Sequence, residues 1–145
     1  MQSNECRRIL IVDDSTLTLL LMKNGLEEEG YDVDTAVNGY SALAKIETSA
    51  PDLLLLDIMM PDMNGIEVTL RIRHNDKLPF IYILLVSGCS QENVQKGLEA
   101  GANDFIRKPV KLGELLTKIR GCHDAAKDIT AKEIEAMFDE IEINL

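Results

Sequence analysis

Basic charge is scarce in this sequence: fifteen lysines and arginines stand against twenty-five aspartates and glutamates, for a net charge of -10 over 145 residues. That acidic excess repels phosphate backbones and anionic lipid headgroups, which argues against direct nucleic-acid or membrane-surface binding by this segment. Cysteine is scarce too. Cys6, Cys89 and Cys122 are odd in number, far apart and in no Cys-x-x-Cys spacing, so neither a disulfide framework nor a zinc site is indicated, and unreactive thiols in a reducing compartment are expected. No apolar stretch reaches the roughly 20 residues that a membrane helix needs. Residues Met1 to Arg8 lack the apolar core of a signal peptide, because the hydrophobic run after them extends only from Ile9 to Val12. A cytoplasmic location is therefore expected.

With 46% hydrophobic and 28% charged residues, the composition is that of a globular protein, and the length suits one domain plus an appendage. The most apolar stretch is Leu53-Leu54-Leu55-Leu56, which runs into Asp57 and then the loop Ile58-Met59-Met60-Pro61-Asp62-Met63-Asn64-Gly65. An unbroken apolar run closed by turn residues suits a strand buried on both faces, as in a parallel sheet covered by helices. Asp57 then stands at the C-terminal end of that strand. Ile9 to Val12 forms a similar run and ends at Asp13-Asp14-Ser15, while Tyr31 to Ala36, Phe80 to Val86 and Phe105 to Arg107 complete a set of five.

Helical patterns fill the intervals: Thr16 to Glu29 before Gly30, Tyr40 to Glu47 before Pro51, Ile66 to Arg73, Glu92 to Ala100 before Gly101, and Leu112 to about Ala126. In the first of these, a buried stripe of Thr18, Leu21, Met22, Gly25 and Leu26 leaves Leu19 and Leu20 facing outward. Five strands that alternate with helices indicate an α/β fold, a doubly wound parallel sheet with right-handed crossovers. Ligands of such sheets bind beyond the carboxyl ends of the strands, and the order 2-1-3-4-5 puts the switch point between strands one and three. Asp13, Asp14 and Asp57 would meet there, with Ser87 and Lys108 arriving from strands four and five. Three close carboxylates call for a hard divalent cation such as Mg2+ or Mn2+. A metal, an ammonium and a hydroxyl together suit phosphoryl transfer to a carboxylate nucleophile.

The pieces ILIVDDS, LLLLDIMMPDMNG, ILLVSG and GANDFIRKP, in that order, resemble the receiver domains of two-component response regulators over about Arg8 to Ala126. The resemblance implies a CheY-like, flavodoxin-like receiver domain over residues 7–127. It makes Asp57 the phosphoacceptor, with Asp13, Asp14, Asp57 and the backbone carbonyl of Met59 holding Mg2+. Ser87 and Lys108 would bind the phosphoryl oxygens, the Lys108-Pro109 bond would be cis, and Phe105 would be the aromatic member of the switch. Serine at 87 and phenylalanine at 105 replace the family's commoner threonine and tyrosine. The side chains of Met59 and Cys89 would flank the phosphoryl group and slow attacking water. The implied partners are a histidine kinase or histidine phosphotransfer protein, docked in part on the first helix near Leu19 and Leu20, together with a second copy of the chain or an output domain or effector.

The same fold also serves interaction modules that work without phosphorylation, and this is the alternative reading. A dehalogenase-type aspartyl-phosphate hydrolase would want an acid two residues after its nucleophile, where Met59 stands. A flavodoxin-like carrier would want a phosphate loop after strand one, where two acids stand instead. Thr130-Ala131-Lys132-Glu133 is a capping box, and Ile134, Met137, Phe138, Ile141 and Leu145 share one helical face. An amphipathic helix is therefore expected over residues 128–145, either docked on its own domain, paired in a dimer, or opening an output domain. A linker or dimer helix is the preferred reading.

Overall fold

In the computed structural model, which describes residues 7–88 and 90–122, strand and helix alternate. The elements run β1 (Arg8–Val12), α1 (Thr16–Glu28), β2 (Asp32–Ala36), α2 (Gly39–Thr48), β3 (Leu53–Asp57), α3 (Gly65–Arg73), β4 (Tyr82–Ser87), α4 (Gln91–Glu99) and β5 (Asp104–Arg107). A fifth helix, α5, is described over residues 112–122. Cys6, Cys89, the end of the last helix near Ala126 and the tail helix over residues 128–145 lie outside the described residues. All four strand pairings are parallel, in the order β2-β1-β3-β4-β5. This is the doubly wound arrangement that the alternating pattern predicts.

Alternation along β3 explains the run of leucines. Leu54 and Leu56 pack with Leu10, Val12, Ile83 and Leu85 against α2, α3 and α4, through Ala42, Ile46, Val68, Ile72 and Val94. Leu53 and Leu55 pack with Ile9, Ile11, Leu84 and Val86 against Leu19 and Leu26 of α1 and Leu115 and Ile119 of α5. A central strand covered on both faces has no solvent side on which to place a polar residue, so the apolar run is uninterrupted until the sheet ends. Each helix start is fixed locally. Ser15, Asn38, Asn64 and Ser90 accept the N–H of Thr18, Ser41, Glu67 and Asn93 respectively, which satisfies donors that the first turn leaves open. Gly30 and Gly101 follow the ends of α1 and α4 with positive φ.

Two expectations are corrected. Leu19 faces the core at 5% exposed, whereas Leu17, Leu20 and Leu21 face outward at 64%, 54% and 63%. The buried stripe is therefore Leu19, Met22 and Leu26. Leucine at 17 and at 19–21, followed by Met22, lets several helical stripes fit equally well, and only the packing of α1 on the sheet chooses between them. β4 begins at Tyr82 and not at Phe80, which is exposed with the Arg73 guanidinium 5.3 Å from its ring centroid.

The loop after β3 is pinned by its own apolar side chains. Ile58, Met60 and Met63 are buried while Met59 is exposed, and the Gly65 N–H donates to the Ile58 carbonyl at 2.8 Å. A Cβ at Gly65 would lie 2.6 Å from the Asp57 carbonyl oxygen, so α3 can start this close to the end of β3 only at a glycine. Gly65→Ala is expected to cost about 1–3 kcal/mol in urea denaturation. At Gly113 an added Cβ meets nothing within 4 Å, and Gly113→Ala should be neutral or stabilising by up to about 1 kcal/mol.

Candidate functional site

Parallel strands in register end together, so the residues that follow them gather at one edge. Val12 pairs with Ala36 and Leu56, Asp57 with Val86, and Ser87 with Arg107. Asp13, Asp57, Ser87 and Lys108 therefore stand at the carboxyl ends of β1, β3, β4 and β5. Asp13 and Asp57 are buried, 3% and 4% exposed, although both are acids. They share one ammonium: Lys108 Nζ donates to Asp57 Oδ2 at 3.3 Å and lies 3.3 Å from Asp13 Oδ2. The backbone engages the other oxygen of each, with the Ser15 N–H donating to Asp13 Oδ1 at 2.9 Å and the Met59 N–H to Asp57 Oδ1 at 3.3 Å.

Asp14 is exposed, and carboxylate oxygens of Asp13, Asp14 and Asp57 lie within 4.8 Å of one another. Three carboxylates facing one ammonium leave surplus negative charge. Burial raises the pKa of Asp57 above the usual carboxylate value, with help from the Asp13 charge and against the pull of Lys108 and the Met59 N–H. For Lys108, burial works against the ammonium, but the charges of Asp57 and Asp13 and their hydrogen bonds prevail and hold its pKa above the usual lysine value. The cluster thus attracts positive charge beyond what Lys108 supplies. An all-oxygen donor set with surplus negative charge fits a hard divalent cation.

Ser87 is fully buried at the end of β4, and its carbonyl accepts the Lys108 N–H at 2.9 Å. The Lys108-Pro109 bond is cis. Phe105 is half-buried against the α2–α4 side of the core, with the Arg107 guanidinium 5.8 Å from its ring centroid. Arg107 in turn donates to Gln91 Oε1 at 2.7 Å. Outside the expected site, the two carboxylate oxygens of Asp62 accept long 3.5 Å bonds from the N–H groups of Gly39 and Tyr40. Helix α2 has no acid in its own first turn, so an acid from the loop after β3 complements that helix dipole. The missing first-turn acid was a visible signal, but it named no partner.

Known proteins share this sequence pattern and this fold. Residues 9–120 match the family profile of the response regulator receiver domain. The chain is 38% identical over 136 residues to the alkaline phosphatase synthesis transcriptional regulatory protein PhoP of Bacillus subtilis, covering 94% of this chain and 56% of that protein. It is 40% identical over 114 residues to the transcriptional regulatory protein TrcR of Mycobacterium tuberculosis, covering 79% of this chain and 44% of that protein. It spans about half the length of the curated relatives it matches. Among solved structures, a CheY-like receiver domain protein from Methanospirillum hungatei is 40% identical with a TM-score of 0.79, covering 86% of this chain and 98% of that one. The chemotaxis protein CheY4 of Vibrio cholerae is 32% identical with a TM-score of 0.75, covering 80% and 98%.

The charge imbalance has a sign that can be measured. Because the Asp57 pKa is raised on folding, the native state binds more protons than the unfolded one, and stability falls as pH rises from the usual carboxylate value of 3.8 through the folded pKa. Asp57→Asn removes that cost. In EDTA at pH 7 it is expected to raise the melting temperature by a few degrees, a gain that shrinks as the pH is lowered toward 3.8. No gain at pH 7, or a gain that grows in acid, would contradict this balance of charges.

Proposed function

This chain belongs to the response regulator receiver family of two-component systems, and we propose that it is a phosphoacceptor switch in which Asp57 takes the phosphoryl group. One observation carries the proposal: a buried carboxylate at the end of the central strand is bonded to Lys108 and has two further acids within metal-binding distance. Asp57 is taken as the nucleophile by likeness to the family, as the acid that closes β3, where its Oδ1 accepts the Met59 N–H. An Asp57 oxygen attacks phosphorus, the bond to the donor's histidine nitrogen breaks, and the nitrogen keeps the electron pair. The product is an acyl phosphate.

Asp13, Asp14, Asp57 and the Met59 carbonyl would hold Mg2+ or Mn2+, which supplies positive charge against the equatorial phosphoryl oxygens. Lys108 contributes an ammonium already positioned 3.3 Å from Asp57 Oδ2, so little reorganisation is needed as negative charge gathers there. The Ser87 hydroxyl would donate to a phosphoryl oxygen, and Phe105, next to Ile106 on β5, would follow that movement inward. The α4 and β5 side of the domain would carry the signal. The phosphodonor is proposed to be a histidine kinase or histidine phosphotransfer protein that uses the outward leucines Leu17, Leu20 and Leu21 of α1, close to Asp14. The relatives PhoP and TrcR are named as transcriptional regulators, so an output in transcription is proposed by likeness to them. A second copy of the chain is a further proposed partner.

Incubation with acetyl phosphate and Mg2+ should add one phosphoryl mass that does not form when EDTA replaces Mg2+ and is absent from Asp57→Asn. No added mass would instead favour an interaction module that works without phosphorylation. Met59 is 58% exposed beside Asp57, and its apolar side chain would hinder approaching water. Met59→Asn is therefore expected to speed loss of the phosphoryl group several-fold in a phosphate-release assay, and an unchanged rate would remove Met59 from that role.

A further inference from the structure

The outward leucines continue into a groove of about 200 Å³ between α1 and α5, lined by Leu21, Met22, Gly25, Val110, Leu112 and Leu115. The two helices meet closely at Gly25, where an added Cβ would lie 3.3 Å from Leu112 Cδ1, and the groove lies alongside that contact. Leu17, Leu20, Leu21 and Leu112 are all substantially exposed. Such an apolar face costs free energy in water unless something covers it.

The chain carries a segment of matching chemistry. In a helix over residues 134–145, the spacing of Ile134, Met137, Phe138, Ile141 and Leu145 would put them on one face, opposite most of the acids. A helix of this length is marginal alone in water and gains stability by burying such a face.

Length and charge favour this segment as the occupant. It follows directly from α5, whose groove-lining residues Leu112 and Leu115 lie about 11–15 Å along the helix axis from residue 122. With the last helix expected to run to about Ala126, residues 127–129 are left as a short connector of the kind that joins antiparallel helices, and a helix from Thr130 to Leu145 is about 24 Å long, against about 17–21 Å from residue 126 back to Leu115 and Leu112. A single return pass reaches the groove. Residues 123–145 hold seven acids against two lysines, and α5 presents exposed Lys111 and Arg120 near its two ends.

We propose that residues 130–145 fold back as an amphipathic helix into the α1–α5 groove of the same chain. Phe138 and Met137 cover Leu21 and Leu112. Of the three readings of this segment, docking on its own domain therefore takes precedence over a linker or dimer helix. Taken with the phosphoacceptor reading, the docked segment would compete with the phosphodonor for α1, but the contact itself does not depend on Asp57 chemistry.

The test uses the full-length chain and two reciprocal variants. Phe138→Glu should shift the methyl resonances of Leu21, Leu112 and Leu115 while leaving those of Leu54 and Leu56 in place. Leu21→Glu, at a position already 63% exposed, should speed amide exchange across residues 131–145 by about tenfold or more. Both effects should be the same at dilute and tenfold higher concentration of the unphosphorylated chain, with monomeric mass in sedimentation. Unmoved groove methyls, or tail exchange indifferent to Leu21→Glu, would overturn the proposal. Effects that appear only at the higher concentration with doubled mass would also overturn it, and would assign the groove to a second copy.

Discussion

Two buried carboxylates sharing one lysine ammonium form the costly cluster that the rest of this structure is built to hold in place. Asp13 and Asp57 are withdrawn from water, each has one oxygen held by a backbone N–H, and both lie 3.3 Å from Lys108 Nζ. Burying acid without enough cation is unfavourable, and the raised pKa of Asp57 reflects that cost. The same deficit makes the edge receptive to cations. Ordinary folding would not favour such a cluster, and strain of this kind at a strand edge points to function.

The scaffold explains how the cluster is maintained. Leu53 to Leu56 are 0% exposed, so β3 cannot slide without moving leucines from one face of the sheet to the other. Asp57 is therefore fixed in register against Val86, and Ser87 against Arg107. The following loop is anchored by Ile58, Met60 and Met63, and Gly65 lets α3 begin against the Asp57 carbonyl. Packing on both sides of the sheet thus sets the position of one carboxylate oxygen relative to Lys108. The surface of α1 is set differently, because Leu17, Leu20 and Leu21 contribute little to the core and remain available to other chains or to the segment after α5.

Much of this is legible in the amino-acid sequence. Unbroken apolar runs ending in Asp, Ser or Lys mark strand ends whatever the surroundings, and β3 was bounded to the residue because its leucines stop where the sheet stops. Asp13, Asp57, Ser87 and Lys108 were each visible as the polar residue closing a strand. Choices that depend on packing between elements were less legible. The leucine-rich start of α1 fits several stripes, so Leu19 was placed outward although it is buried. Phe80 looked like part of a strand because it is aromatic and apolar, yet it pairs its ring with Arg73 outside the sheet. Asp62 reaching across to α2 joins residues more than twenty apart, a distance that no local pattern spans.

The central claim is that the reactive atom is an oxygen of Asp57. An acyl phosphate is reduced by borohydride to an alcohol, whereas a phosphate ester on a hydroxyl is not. After phosphorylation with acetyl phosphate and Mg2+, reduction and peptide mapping should find homoserine at position 57 and unmodified aspartate at 13 and 14. Homoserine at 13 or 14, or a borohydride-resistant phosphate on Ser87, would contradict it.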